Sequence, residues 1–153
     1  MVALPLVELP EYRLAILPPV DPESDHNVRR LWVELSLRLE AGLRSEAPGV
    51  LSVGVMDRRH EPPRYALGVP VSESIVFMPE GMEELTTPAG RYLNHTVVGP
   101  YAAIPAAFEM LGRQVDNAGA RRSGVDLEVY RSLDSDGHTA TDLFVGIVDS
   151  DGE

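Results

Sequence analysis

The chain of 153 residues contains no cysteine, which excludes disulfides, thiolate nucleophiles and zinc-thiolate sites. No apolar run approaches ~18 residues, and no basic segment leads into an apolar one, so neither a membrane span nor a signal peptide is expected and the default location is cytoplasmic. His26, His60, His95 and His138 stand far apart without ligand spacing, and neither a glycine-rich phosphate loop nor a nucleophile elbow occurs. These absences leave no expected metal, cofactor or catalytic residue. "DSDGHTATD", with Asp134, Asp136 and Gly137, hints at a calcium loop, but it lacks the third ligand, the correctly placed glycine and the closing glutamate. A turn between two strands explains it better. Positive charge is scarce as well: 13 Lys and Arg against 24 Asp and Glu give a net charge of −11. Such a surface repels phosphate backbones, so direct nucleic-acid binding is not expected, and it favours cationic ligands, although plain solubility accounts for most of it.

Hydrophobic residues make up 44% and charged residues 24% of the chain, which is ordinary for a globular protein. A chain of this length buries roughly 68–70% of its unfolded surface, enough for a true core. The final "DSDGE" reads as a loose tail. Before it, the sequence is written twice. "HNVRRLWVELSLRLEAG" places Val28, Trp32, Leu35 and Leu39 on one helical stripe, with Ser24 or Asp25 as cap and Gly42 as stop. "IPAAFEMLGRQVDNAG" repeats that stripe with Ile104, Phe108, Leu111 and Val115, opened by Pro105 and closed by Gly119. Strands are expected before and after each helix: "EYRLAILPPV", "GVLSVGVMD" and "RYALGVPV" in the first half, "AGRYLNHTVV", "GVDLEVYRSLD" and "TDLFVGIV" in the second. Between the halves, Ser74 to Met78 is a candidate extra strand among turn residues. The division predicts one domain of two strand-helix-strand-strand repeats, about 5–72 and 73–149. Neither half can bury its helix and sheet alone, so the copies should pair across a seam, where pockets tend to form.

"GVDLEVYRSLD" alternates, sending Val125, Leu127 and Val129 to one face and Asp126, Glu128 and Tyr130 to the other. Under the repeat, Gly54 aligns with Glu128 and Met56 with Tyr130, so the second copy carries chemistry where the first carries small or soft residues. Two readings of this face are open. It is a solvent-exposed sheet surface, or it lines the seam, where a partly desolvated Glu128 needs a cationic partner and Tyr130 offers a π face and a hydroxyl. Trp32 reads as core, with a second role as floor of a ligand site. Phe108 holds the matching place in the second helix, and Tyr65, Tyr92, Tyr101 and Phe144 are candidate walls.

"LTTPAGRYLNHTVVGPYAAIPAAFEMLGRQV", followed by "LEVYRSL" and "TDLFVGIV", resembles the GyrI-like small-molecule-binding family, which also supplies effector-binding domains of multidrug-sensing bacterial transcription activators. "RRLWVEL" and "RYALGVPV" are similar to its first repeat. The resemblance implies an α+β fold of tandem strand-helix-strand-strand units with pseudo-twofold symmetry, an antiparallel sheet with two helices, and a groove at the repeat interface for amphipathic, often cationic, aromatic compounds. It also implies that Glu128 is the counter-charge and Tyr130 an aromatic wall, so that the candidate ligand-binding set, with the residues read from pattern above, is Glu128, Tyr130, Trp32, Met56, Tyr65, Phe108 and Phe144. Gly146 stands where many relatives carry proline, which bears on the rim near Phe144.

Three functions compete, the first resting on the aromatic seam, Glu128 and the acidic balance and the other two on what the resemblance implies. The first is a stand-alone binder that sequesters or senses such a ligand. The second is a hydrolase of strained electrophiles in which Glu128 and Tyr130 position water. The third is a protein that binds and shields DNA gyrase. No helix-turn-helix segment precedes residue 10, so a role in transcription is expected to run through a partner regulator.

Overall fold

The computed structural model describes residues 4–72, 78–133 and 139–148. In chain order these form β1 (Leu6–Leu9), β2 (Arg13–Ile16), α1 (Asp25–Glu40), β3 (Ser52–Asp57), β4 (Arg64–Pro70), β5 (Glu83–Thr86), β6 (Gly90–Gly99), α2 (Ile104–Asn117), β7 (Arg121–Leu133) and β8 (Thr139–Val148). A 3-10 turn at Tyr101–Ala103 leads into α2. The α+β architecture expected from the sequence is thus present.

The strands join in one antiparallel sheet of order β1-β6-β8-β7-β3-β4-β2-β5. That order reads alike from both edges, with β3 and β7 at the centre. The central ladder is symmetric too: Gly54 faces Glu128, flanked by Val53 opposite Val129 and Val55 opposite Leu127. β1 and β5, the edge strands, were not anticipated. Each is four residues long, too short for alternation to show, and β5 carries Glu83 and Glu84 in a stretch that reads as turn. The first expected strand, 11–20, is cut to Arg13–Ile16 because Pro18 and Pro19 have no N–H to donate. Val20 keeps a single bridge to Tyr65. The candidate strand at Ser74–Met78 lies outside the described residues apart from Met78, which is in no strand, and the acidic turn at Asp134–Gly137 also lies outside them.

Both helices end alike. Leu43 N–H bonds to Arg38 O and Gly42 N–H to Leu39 O after α1, and Ala120 N–H to Val115 O and Gly119 N–H to Asp116 O after α2. This is the paired closure that needs a left-handed glycine, and Gly42 and Gly119 have φ of 120° and 69°. The two stripes lie on one face of the sheet. Leu31 and Leu35 of α1 pack on Leu67 and Val69, and Ile104, Leu111 and Val115 of α2 pack on Leu93, Leu143 and Val145. Each fully buried leucine among them contributes roughly 1.5–3 kcal/mol. Trp32 and Phe108 are half-buried at matching helix positions, and Trp32 touches both of these clusters. The opposite face carries a third cluster without helical residues, built on Val53, Val55, Val125, Leu127, Val129 and Phe144. No helix among the described residues is long and apolar enough to cross a membrane.

Candidate functional site

Alternation along β7 sends Leu127 and Val129 into the helix-free cluster and Glu128 and Tyr130 toward the helices. There Glu128 Oε1 accepts two hydrogen bonds, from Tyr130 Oη at 2.6 Å and from Tyr65 Oη at 2.7 Å. Room for this arrangement comes from Gly54 across the ladder, where a Cβ would lie 2.7 Å from Oε1 and in collision with the Tyr65 hydroxyl. The position that repeats Glu128 in the first half is therefore empty so that the glutamate and a phenol can meet. Glu128 Oε2 accepts from no described residue. Among the described residues every buried side-chain oxygen has a partner, so Oε2 retains access to solvent.

Three rings stand beside this carboxylate. Trp32 meets Tyr130 edge to face, with centroids 4.8 Å apart and planes at 89°. Tyr101, from the turn before α2, lies 5.7 Å from Trp32 and 5.8 Å from Tyr130. Together with Tyr65, Met56, Val28, Ile104 and Pro105 they line a cavity of about 510 Å³ that opens between α1 and α2 with Glu128 in its wall. A second cavity of about 650 Å³ shares Met56, Ile104, Pro105 and Glu128 with the first and runs along α2 past Phe108 to Arg58, Arg113, Arg122 and Asp126.

Burial pushes the Glu128 carboxyl above the usual glutamate range, and Asp126 adds to the rise, while the two phenols and Arg58 pull the other way. Burial likewise raises the Tyr65 and Tyr130 hydroxyls, reinforced by the charge of Glu128, so both remain protonated donors at any ordinary pH. Asp126 is 5% exposed; burial raises its carboxyl against the opposing effect of Arg58, with which it forms an ion pair.

Of the residues singled out in the sequence, Glu128, Tyr130, Trp32, Met56 and Tyr65 line the first cavity and Phe108 the second. Phe144 is a correction. It pairs with Leu127 on the helix-free face, packs edge to face on Tyr92 at 6.2 Å and lines neither cavity. Gly146 near it is explained by packing: a Cβ there would collide with the Ser123 hydroxyl and lie 2.7 Å from Val125 O, where β7 bulges. Tyr101 belongs with the site more closely than its sequence neighbourhood suggested, because the 3-10 turn carries it to the cavity mouth. Arg58 and Arg122 were missed, since arginines on an acidic chain read as scattered surface charge. No group of residues suited to hold a metal occurs among the described residues.

The sequence pattern of the integron-associated effector binding protein family, Cass2, matches residues 6–147. Among curated protein sequences none matches. Similar solved structures include SAV2435 bound to tetraphenylphosphonium, at 12% identity, TM-score 0.76, covering 96% of this chain and 94% of that one. An integron cassette protein from the mobile metagenome of Vibrio cholerae is similar at 13% identity and TM-score 0.62, covering 94% of each chain. A hydrolase from Listeria innocua is similar at 12% identity and TM-score 0.54, covering 94% of this chain and 90% of that one. At these identities the structural likeness speaks for the fold alone.

Proposed function

Because the chain belongs to the integron-associated effector-binding family, within the GyrI-like proteins, we propose that it binds amphipathic aromatic cations in the seam between its helices, with Glu128 as counter-charge. The observation that carries this reading is the state of Glu128. Two phenols hold Oε1, while Oε2 keeps solvent access beside a cavity with aromatic walls and no arginine. A carboxylate taken partly out of water is costly until an opposite charge arrives. A large cation satisfies that need and gains roughly 0.5–2 kcal/mol from each ring face it covers. The cavity, about 510 Å³, falls in the range that encloses most of a drug-sized molecule. That SAV2435 was solved with tetraphenylphosphonium, a bulky aromatic cation without hydrogen-bond donors, supports the choice of ligand class.

The unit of binding in this reading is one domain of two repeats, about 5–72 and 73–149, since each half contributes a helix and part of the wall. Sequestering or sensing a ligand in the cytoplasm fits a domain of this kind, as does handing the signal to a partner regulator or to gyrase. Titration with tetraphenylphosphonium, followed by quenching of Trp32, tests the proposal: saturable quenching with the ligand recovered unchanged is expected, and absence of saturation contradicts it. Conversion of a strained electrophile would instead favour hydrolysis, a reading that rests on the raised glutamate beside Tyr130.

A further inference from the structure

The two cavities adjoin along Met56, Ile104, Pro105 and Glu128, which line both, and together they make a groove whose two ends differ in chemistry. The aromatic end has Glu128 as its single charged residue, whereas the other end adds Arg58, Arg113 and Arg122 together with the carboxylates Glu109, Asp116 and Asp126, so what distinguishes it is which arginine those carboxylates leave without a hydrogen bond. Arg58 is engaged with Asp126. Arg122 is not engaged in the same way. Its closest carboxylate, Asp116, is 3.7 Å away, beyond hydrogen-bond distance, and it donates no hydrogen bond to any described residue.

Arg122 nevertheless lies against α2. Gly112 sits buried in the middle of α2, where glycine costs about 1 kcal/mol relative to alanine. A Cβ at Gly112 would stand 2.5 Å from Arg122 Nη2. The helix thus gives up a side chain at the spot where the guanidinium lies across it, and five N–H donors are presented at the groove wall in a planar fork suited to a carboxylate. Arg122 and Glu128 are related to Ile147 and Leu143 by the β7–β8 register. Four residue steps of β8 separate those partners, so the two charged residues are about 13 Å apart along the sheet.

We propose that this end of the groove is an anion subsite, and that the ligand is zwitterionic: an aromatic cation at Glu128 joined by a spacer to a carboxylate at Arg122. A purely anionic ligand would face the −11 charge of the protein unaided, and the cationic head supplies the compensation. The inference rests on the cation-binding reading above and goes beyond it by specifying the second charge and its separation.

The test compares a triphenylphosphonium bearing a long ω-carboxyalkyl chain with its methyl ester, in low salt, on the wild-type chain and on Arg122→Gln. The acid should bind the wild type about three- to tenfold more tightly than the ester, a modest factor because the arginine is partly solvated. Arg122→Gln should abolish that preference while leaving the ester's affinity unchanged, which also shows that the variant is folded. Gly112→Ala, which displaces the guanidinium without removing it, should reduce the preference. Equal binding of acid and ester to the wild type overturns the anion subsite and leaves the cation site standing. Failure of both compounds to bind overturns both.

Discussion

Gly54 and Glu128 face each other in the central ladder, and a Cβ on Gly54 would lie 2.7 Å from Glu128 Oε1. The smallest residue on β3 and the half-buried Glu128 on β7 are therefore two parts of one device. Gly54→Ala should cost about 1–3 kcal/mol through overpacking, lowering the melting temperature by roughly 2–4 °C per kcal/mol in a chain of this length. It should also displace Tyr65 from Glu128. Thermal unfolding followed by circular dichroism checks the first effect; a wild-type melting temperature would show that the ladder relaxes at no cost.

Tyr65 and Tyr130 both donate to Oε1, so removing either hydroxyl leaves the carboxylate with one donor. Tyr65→Phe and Tyr130→Phe should each raise the Glu128 pKa further, because the bonds they remove favour the charged form. Tyr130→Phe keeps the ring against Trp32, so its effect on a neutral aromatic ligand should be small. Carbon-detected NMR titration of Glu128 in the three proteins measures the shift, and an unchanged midpoint in either variant would mean that its hydroxyl does not stabilise the charge.

The raised Glu128 pKa has a consequence for pH. Its contribution to stability is full below the ordinary glutamate range and is lost as pH rises through the raised folded-state value. Cation binding runs the other way, since the ionised form is the one that attracts the ligand. Affinity for tetraphenylphosphonium should therefore fall as pH is lowered through that value, and Glu128→Gln should show no such fall. Affinity that is flat with pH in the wild type would contradict this.

Asp126 is buried against an arginine that is half exposed. Arg58→Ala should destabilise the protein by about 1–2 kcal/mol at neutral pH, less than for a fully buried pair because water screens the guanidinium. The loss should shrink in acid, where Asp126, already raised by burial, takes up a proton. Urea unfolding at neutral and acid pH separates the two conditions, and an equal loss at both would place the effect elsewhere.

Much of this architecture is legible in the sequence because it rests on local periodicity. The helices at Asp25–Glu40 and Ile104–Asn117 announce themselves by stripe, glycine stop and proline entry, and β7 by its alternation. That alternation puts Glu128 and Tyr130 on one face, while leaving open whether the face meets solvent or the seam. What stayed hidden depends on contacts distant in sequence. Edge strands of four residues carry too little pattern to recognise, and the meeting of Tyr65 with Glu128 depends on the registers of β4 on β3 and β3 on β7. Phe144 looked like a wall residue because an aromatic on a strand can face either way, and only its pairing with Leu127 decides which. Arg122 draws notice only once Gly112 is seen beneath it.

The central claim is that Glu128 supplies the counter-charge for an aromatic cation, and Glu128→Gln tests it most directly, since the amide keeps size and hydrogen bonding while removing charge. Affinities for a planar cationic dye and for a neutral dye of the same shape would be compared at two salt concentrations, to separate the diffuse effect of the −11 surface. A charge-assisted contact of about 1.5–3 kcal/mol predicts a roughly ten- to hundredfold loss for the cation and little change for the neutral dye. Equal losses for both dyes would contradict the account.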